Sequence, residues 1–180
     1  LAGEPTVSTY HAYAGRLVGE HALRLPAEPA ARLLGETAAW QLAHRVVSTW
    51  AEDLEVDHVP ATVTGWVLKL AGEMGEHLVA PAEVRRHAER LAAMLAEAPR
   101  GKGQRAEPSQ TYRSWIDAQR RRVALLPLAA AFAERKRAER ALDFADQLAI
   151  AARVAAEHPE VGATERVAYR AVLLDEYQDT

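Results

Sequence analysis

The sequence predicts a mainly α fold, a helical bundle flanked by short strands and helices of an α/β layer. Three observations lead there. Apolar residues recur at three- and four-residue steps through most of the middle of the chain, the period of amphipathic helices. The runs that read as strands are short and sit near the two ends, Val7 to Thr9 and Ala171 to Leu174. Prolines and one polar tract rich in Gly and Arg interrupt the middle where helices would end.

In chain order, Val7 to Thr9 reads as a strand and His11 to His21 as the helix it feeds, with Pro26 and Pro29 marking a break. Ala39, Leu42, Ala43, Val46, Trp50 and Leu54 form one helical stripe, closed by the acids Glu52, Asp53, Glu55 and Asp57 and then Pro60. Val63, Trp66, Val67, Leu70, Met74 and Leu78 form a second. Pro81 suits the first turn of a third helix, where a missing N–H costs nothing, and Val84, Ala88, Leu91, Leu95 and Ala98 make its apolar face. Pro99 to Pro108 is a polar loop. A fourth helix follows with Tyr112, Trp115, Ile116, Gln119 and Val123 on one side; Pro127 is expected to kink or end it, and a further helix carries Leu128, Ala131 and Phe132. Trp50, Trp66 and Trp115 fall on stripes and are expected in the core, whereas Trp40 lies off its stripe. Asp143 and Asp146 form a weaker version of the capping box for a helix packing through Phe144, Leu148, Ala151 and Ala155 and ending before His158-Pro159. A helical turn near Glu165 to Tyr169 leads into the last strand.

Composition narrows the function classes. With 180 residues, 49% of them apolar and 26% charged, the chain has the make-up of one soluble globular domain. A net charge of −3 gives no global nucleic-acid signature, so any such contact must come from local patches. Arg100, Lys102 and Arg105 make one, and Arg120 to Arg122 with Arg135, Lys136, Arg137 and Arg140 make others. The absence of cysteine excludes disulfides, Fe–S sites and thiolate zinc, and suits a reducing cytoplasm. The histidines show no metal-site spacing, no apolar run reaches the ~18–20 residues of a membrane span, and no signal peptide is visible. The missing initiator Met and the final motif read as a piece of a longer polypeptide.

That final motif is Val172-Leu173-Leu174-Asp175-Glu176-Tyr177-Gln178-Asp179-Thr180. Its apolar run is too short for a helix, and adjacent acids at a strand's carboxyl end stand where open α/β sheets bind ligands. An aspartate there can hold Mg²⁺ through water while the next glutamate polarises an attacking water. No Gly-x-x-x-x-Gly-Lys-Ser/Thr loop accompanies it; Gly101-Lys102-Gly103 lacks the preceding strand that a phosphate cradle requires.

Leu173 to Thr180 resembles the Walker B segment of the UvrD/Rep/PcrA-type superfamily 1A DNA helicases. Thr6 to Ala14 is similar to that family's TFHSFA segment, Asp143 to Leu148 is similar to its DFDDLL segment, and Tyr177 stands in the Walker B segment where the family often has Phe. Pro159-Glu160-Val161 stands in the family's order between them and Walker B. The resemblance implies that residues 1–21 and 143–180 are slices of the RecA-like subdomain 1A of a P-loop NTPase, and 22–142 the helical subdomain 1B. It implies ATP and Mg²⁺ as cofactors, with Asp175 holding the metal through water, Glu176 as base and Gln178 sensing the γ-phosphate. It further implies translocation 3′ to 5′ on single-stranded DNA and unwinding of duplex in repair or recombination. Thr9, Tyr10 and His11 would lie under the single strand, and Arg100, Lys102 and Arg105 would meet phosphates. Lacking the phosphate loop, this stretch alone is expected to be inactive and to self-associate through its bare strands. The alternatives are the motor of a helicase–nuclease subunit and a non-catalytic helical module that binds DNA or protein.

Overall fold

Helix boundaries in the chain follow local capping chemistry. A computed structural model describes residues 5–24, 31–52, 58–98 and 109–176. They are mainly helical and divide into two compact units, Ala31–Asp146 and Leu1–Ala30 with Gln147–Thr180.

The first of these, the helical unit, begins with a two-residue strand β1 (Arg32–Leu33), then α2 (Glu36–Ser48), α3 (Pro60–Glu76), α4 (Pro81–Glu97), α5 (Gln110–Ala138) and strand β2 (Ala141–Leu142). Pro60 and Pro81 open α3 and α4 at positions where no N–H is needed. The Glu83 carboxylate accepts the Ala80 N–H at 2.9 Å, and the Ser109 hydroxyl accepts the Tyr112 N–H at 3.3 Å. The expected stripes supply the core: Ala39, Leu42 and Ala43 from α2 and Val63, Val67 and Leu70 from α3 pack with Leu125, Leu128 and Phe132 of α5.

Several expectations are corrected in this unit. Pro127 does not end a helix, because α5 runs through it for 29 residues. Leu125, Leu126, Leu128 and Ala129 are all buried around it, and that packing outweighs the missing hydrogen bond. Trp115 is 48% exposed; the buried face of α5 passes through Ile116 and Gln119, one residue further round the helix. Leu78 lies beyond α3, with φ of 53°, where its N–H donates to Gly75 O and the Val79 N–H to Met74 O. That is the Schellman closure normally taken by glycine. Strands β1 and β2 pair in parallel, Arg32 with Ala141 and Leu33 with Leu142, a contact too short to leave a periodic signature.

The Asp143–Asp146 capping box is present in full. Each backbone N–H donates to the other residue's carboxylate, at 3.0 and 2.9 Å. Lys136, expected in a solvent-facing basic run, is instead buried, with Nζ 2.5 Å from Asp143 Oδ2 and 2.6 Å from Asp146 Oδ2. Gly75 lies close by the start of the capped helix: a Cβ there would sit 3.1 Å from that of Ala145.

The second, terminal unit holds α1 (Tyr10–His21), a short 3-10 turn (Ala22–Arg24), most of α6 (Phe144–Glu157) and α7 (Pro159–Ala168). Its buried apolar residues are Ala14, Leu17 and Val18 from α1, Ala151 and Val154 from α6, and Val161 from α7. Phe144 and Ala155, expected on the packed face of α6, are exposed, and Val154 takes that place. Val7–Thr9 and Ala171–Leu174 are not strands among the described residues; Leu173 is 96% exposed. A strand exists only when a neighbour completes its hydrogen-bond ladder, and no described segment pairs with either run. No described helix is long and apolar enough to cross a membrane.

Candidate functional site

The terminal unit brings together two motifs that lie more than 160 residues apart in sequence. Thr9 closes the start of α1: its hydroxyl accepts the Ala12 N–H at 3.1 Å and its carbonyl the Tyr13 N–H at 3.0 Å. That cap leaves Tyr10 and His11 exposed in the first turn. The Tyr10 hydroxyl donates to the Asp175 carbonyl at 3.4 Å, a long hydrogen bond that places the aromatic ring beside the acid pair. A phenylalanine at position 10 could not make it.

Asp175 and Glu176 follow the exposed apolar run 171–174 at the surface. Asp175 Oδ1 accepts the Glu176 N–H at 3.0 Å, and Glu176 sits at φ of 50°, a left-handed backbone that non-glycine residues rarely adopt. Strained residues of this kind cluster at functional sites. Gln178, Arg100, Lys102 and Arg105 lie outside the described residues.

Among the described residues, no three His, Asp or Glu side chains could together hold a metal ion. Asp175 nevertheless fits Mg²⁺, which binds through one or two carboxylates, keeps several waters and takes its remaining ligands from phosphate.

A second cluster, missed in the sequence, ties α1 to α7. Glu165 Oε2 accepts from the Tyr13 hydroxyl and from Arg16 Nη2, both at 2.6 Å, while Arg16 Nη1 reaches Glu20 at 3.0 Å. The Arg16 guanidinium lies 5.1 Å from the centre of the Tyr13 ring and 5.9 Å from that of Tyr169, whose rings meet edge to face. Burial and the Glu165 carboxylate push the Tyr13 hydroxyl up to about 12. Burial pushes the Glu165 carboxyl up, but hydrogen bonds from Arg16 and Tyr13 more than offset it and hold the group below its usual range. Tyr169 lies two positions before the run 171–174 that delivers Asp175, so this cluster anchors the segment near its base. The available signal was an arginine next to buried Leu17; its partner lies 149 residues away.

No curated protein matches the chain at a significant level. The family model of the UvrD/REP helicase N-terminal domain matches residues 2–180, a span that contains both motifs and both units. The chain therefore belongs to the UvrD/REP helicase N-terminal domain family.

Proposed function

We infer that the terminal unit supplies the metal-and-water side of an ATP-hydrolysing site in a DNA helicase, and that the helical unit is the insertion called subdomain 1B. One observation carries the reading: two adjacent acids, Asp175 and Glu176, follow an apolar run, and the backbone carbonyl of Asp175 accepts a hydrogen bond from Tyr10 of the Thr9–His11 segment. Bound Mg²⁺ would neutralise charge on the phosphates. Asp175 would hold that ion through its water shell, and the carboxylate's acceptor bond from the Glu176 N–H favours one rotamer for that role. Glu176 orients a water and takes its proton, and Gln178 reports on the γ-phosphate. Thr9, Tyr10 and His11 face the single strand, so the Tyr10–Asp175 hydrogen bond joins the nucleic-acid path to the hydrolytic acids. Arg100, Lys102 and Arg105 add sequence-independent phosphate contacts.

The test is Glu176→Gln in the helicase polypeptide that carries this domain, assayed for ATP hydrolysis with Mg²⁺ and single-stranded DNA. Loss of a positioned general base predicts a fall of about 10²–10⁴-fold with nucleotide binding retained. Hydrolysis at the unsubstituted rate would reject the assignment.

A further inference from the structure

We propose that Arg32, Arg45 and Arg135 form a binding site for a phosphate group in the helical unit, away from the acid pair. They come from three elements, β1 and the last turns of α2 and α5, and meet around Glu139. Arg135 Nε donates to Glu139 Oε1 at 2.8 Å. Arg45 Nη2 stands 3.8 Å from the same oxygen, and Arg32 Nη2 4.0 Å from Oε2. The Glu139 side chain is 26% exposed and those of Arg32 and Arg45 are each 62% exposed, so the acid is covered while the guanidinia remain open to solvent.

Charge counting favours an anion here. One carboxylate neutralises one guanidinium, and the carbonyl ends of α2 and α5 contribute at most about −0.5 each. A positive charge of about one is left over. At 3.8 and 4.0 Å, Arg45 and Arg32 share an ion pair with Glu139 but make no hydrogen bond to it, and among the described residues no side-chain acceptor takes their N–H groups. Planar guanidinium forks with free donors match phosphate oxygens two at a time. Surface ion pairs contribute little to stability, so gathering a second and third arginine on one acid adds little to the fold.

The backbones beneath are held in place. The Arg32 N–H donates to the Arg140 carbonyl at 2.8 Å and the Leu34 N–H to the Leu142 carbonyl at 2.7 Å. Thr49 donates both its N–H and its hydroxyl to the Arg45 carbonyl, at 3.1 and 2.8 Å. Binding would therefore order only side chains. The phosphate could belong to a nucleic-acid strand or to a free nucleotide.

The test titrates the chain with inorganic pyrophosphate at low ionic strength, following arginine Nε–H and neighbouring amide resonances by NMR. Saturable shifts are expected at Arg32, Arg45 and Arg135. Affinity should fall about tenfold in Arg45→Gln or Arg135→Gln, the loss of one charge-assisted hydrogen bond. It should be unchanged in Arg153→Gln, whose residue pairs with Glu157 in the other unit. Glu139→Gln is the sharper variant: removing the competing carboxylate should tighten binding several-fold, whereas an ion-pair hub serving stability alone would gain no affinity. Displacement of pyrophosphate by a single-stranded oligonucleotide identifies the strand backbone as the ligand, and displacement by ATP but not by the oligonucleotide identifies a free nucleotide. Shifts that fail to saturate, that survive both arginine substitutions, or that do not strengthen in Glu139→Gln overturn the proposal.

Discussion

Each unit contains an ionic cluster around a covered carboxylate, one on Lys136 and one on Arg16, and the two meet water differently. In the helical unit, the Lys136 side chain is only 6% exposed and bridges Asp143 and Asp146 at the entrance to α6. In the terminal unit, Arg16 is 35% exposed and shares Glu165 with Tyr13. Burial raises the Asp146 carboxyl, with the nearby Asp143 carboxylate adding to it against the pull of Lys136. At Glu165 the same burial loses to two hydrogen bonds and the pKa falls. Asp146, which shares its cation with a second carboxylate in a poorly solvated place, titrates upward, and Glu165, with two donors, titrates downward. The contrast shows that a salt bridge has no fixed pH behaviour; the donor count and the access of water set it.

The contrast is broken most severely by Lys136→Met. It leaves two covered carboxylates without their cation, and the expected cost is about 3–5 kcal/mol at neutral pH, read from urea unfolding. A loss below about 1 kcal/mol would mean that water already reaches both acids. Glu165→Gln should cost less, about 1 kcal/mol, because Arg16 remains partly solvated. Its pH dependence sharpens the comparison. The folded pKa of Glu165 lies below the ordinary value of 4.5, so its contribution is complete above that pH and disappears as pH falls through the folded value. The folded pKa of Asp146 lies above 3.8, so its contribution is complete below that pH and is lost as pH rises. Stability difference curves for Glu165→Gln and Asp146→Asn should therefore slope in opposite directions across the acid range; parallel slopes would refute the assignment. The smallest change is Leu78→Gly, expected to stabilise by about 0.5–1 kcal/mol by relieving a left-handed leucine that is already 53% exposed. A lower melting temperature would show that the leucine side chain contributes more than its backbone costs.

Much of the helical unit was legible because a stripe such as Val63, Val67 and Leu70 obeys local geometry. The capping box at Asp143 and Asp146 was legible for the same reason. What escaped depends on distant partners. Proline chemistry alone argued for a break at Pro127, but the leucines on both sides of it are buried against other helices. Lys136 reads as one more exposed base until its carboxylates are in place. At the candidate site the sequence identified Asp175 and Glu176 by type and order, yet Tyr13, Arg16 and Glu165 carry no motif. The strand character of residues 171–174 was inferred from composition, which cannot supply the neighbouring ladder.

The length of α5 has a consequence for how the molecule comes apart. At 29 residues it extends about 44 Å and lies against α2, α3 and α4. No layer of the helical unit can melt while the others stay intact, since each rests on this shared rod. Loosening any one of the three should be felt by the other two, and the unit should lose its hydrogen-exchange protection as a single cooperative block.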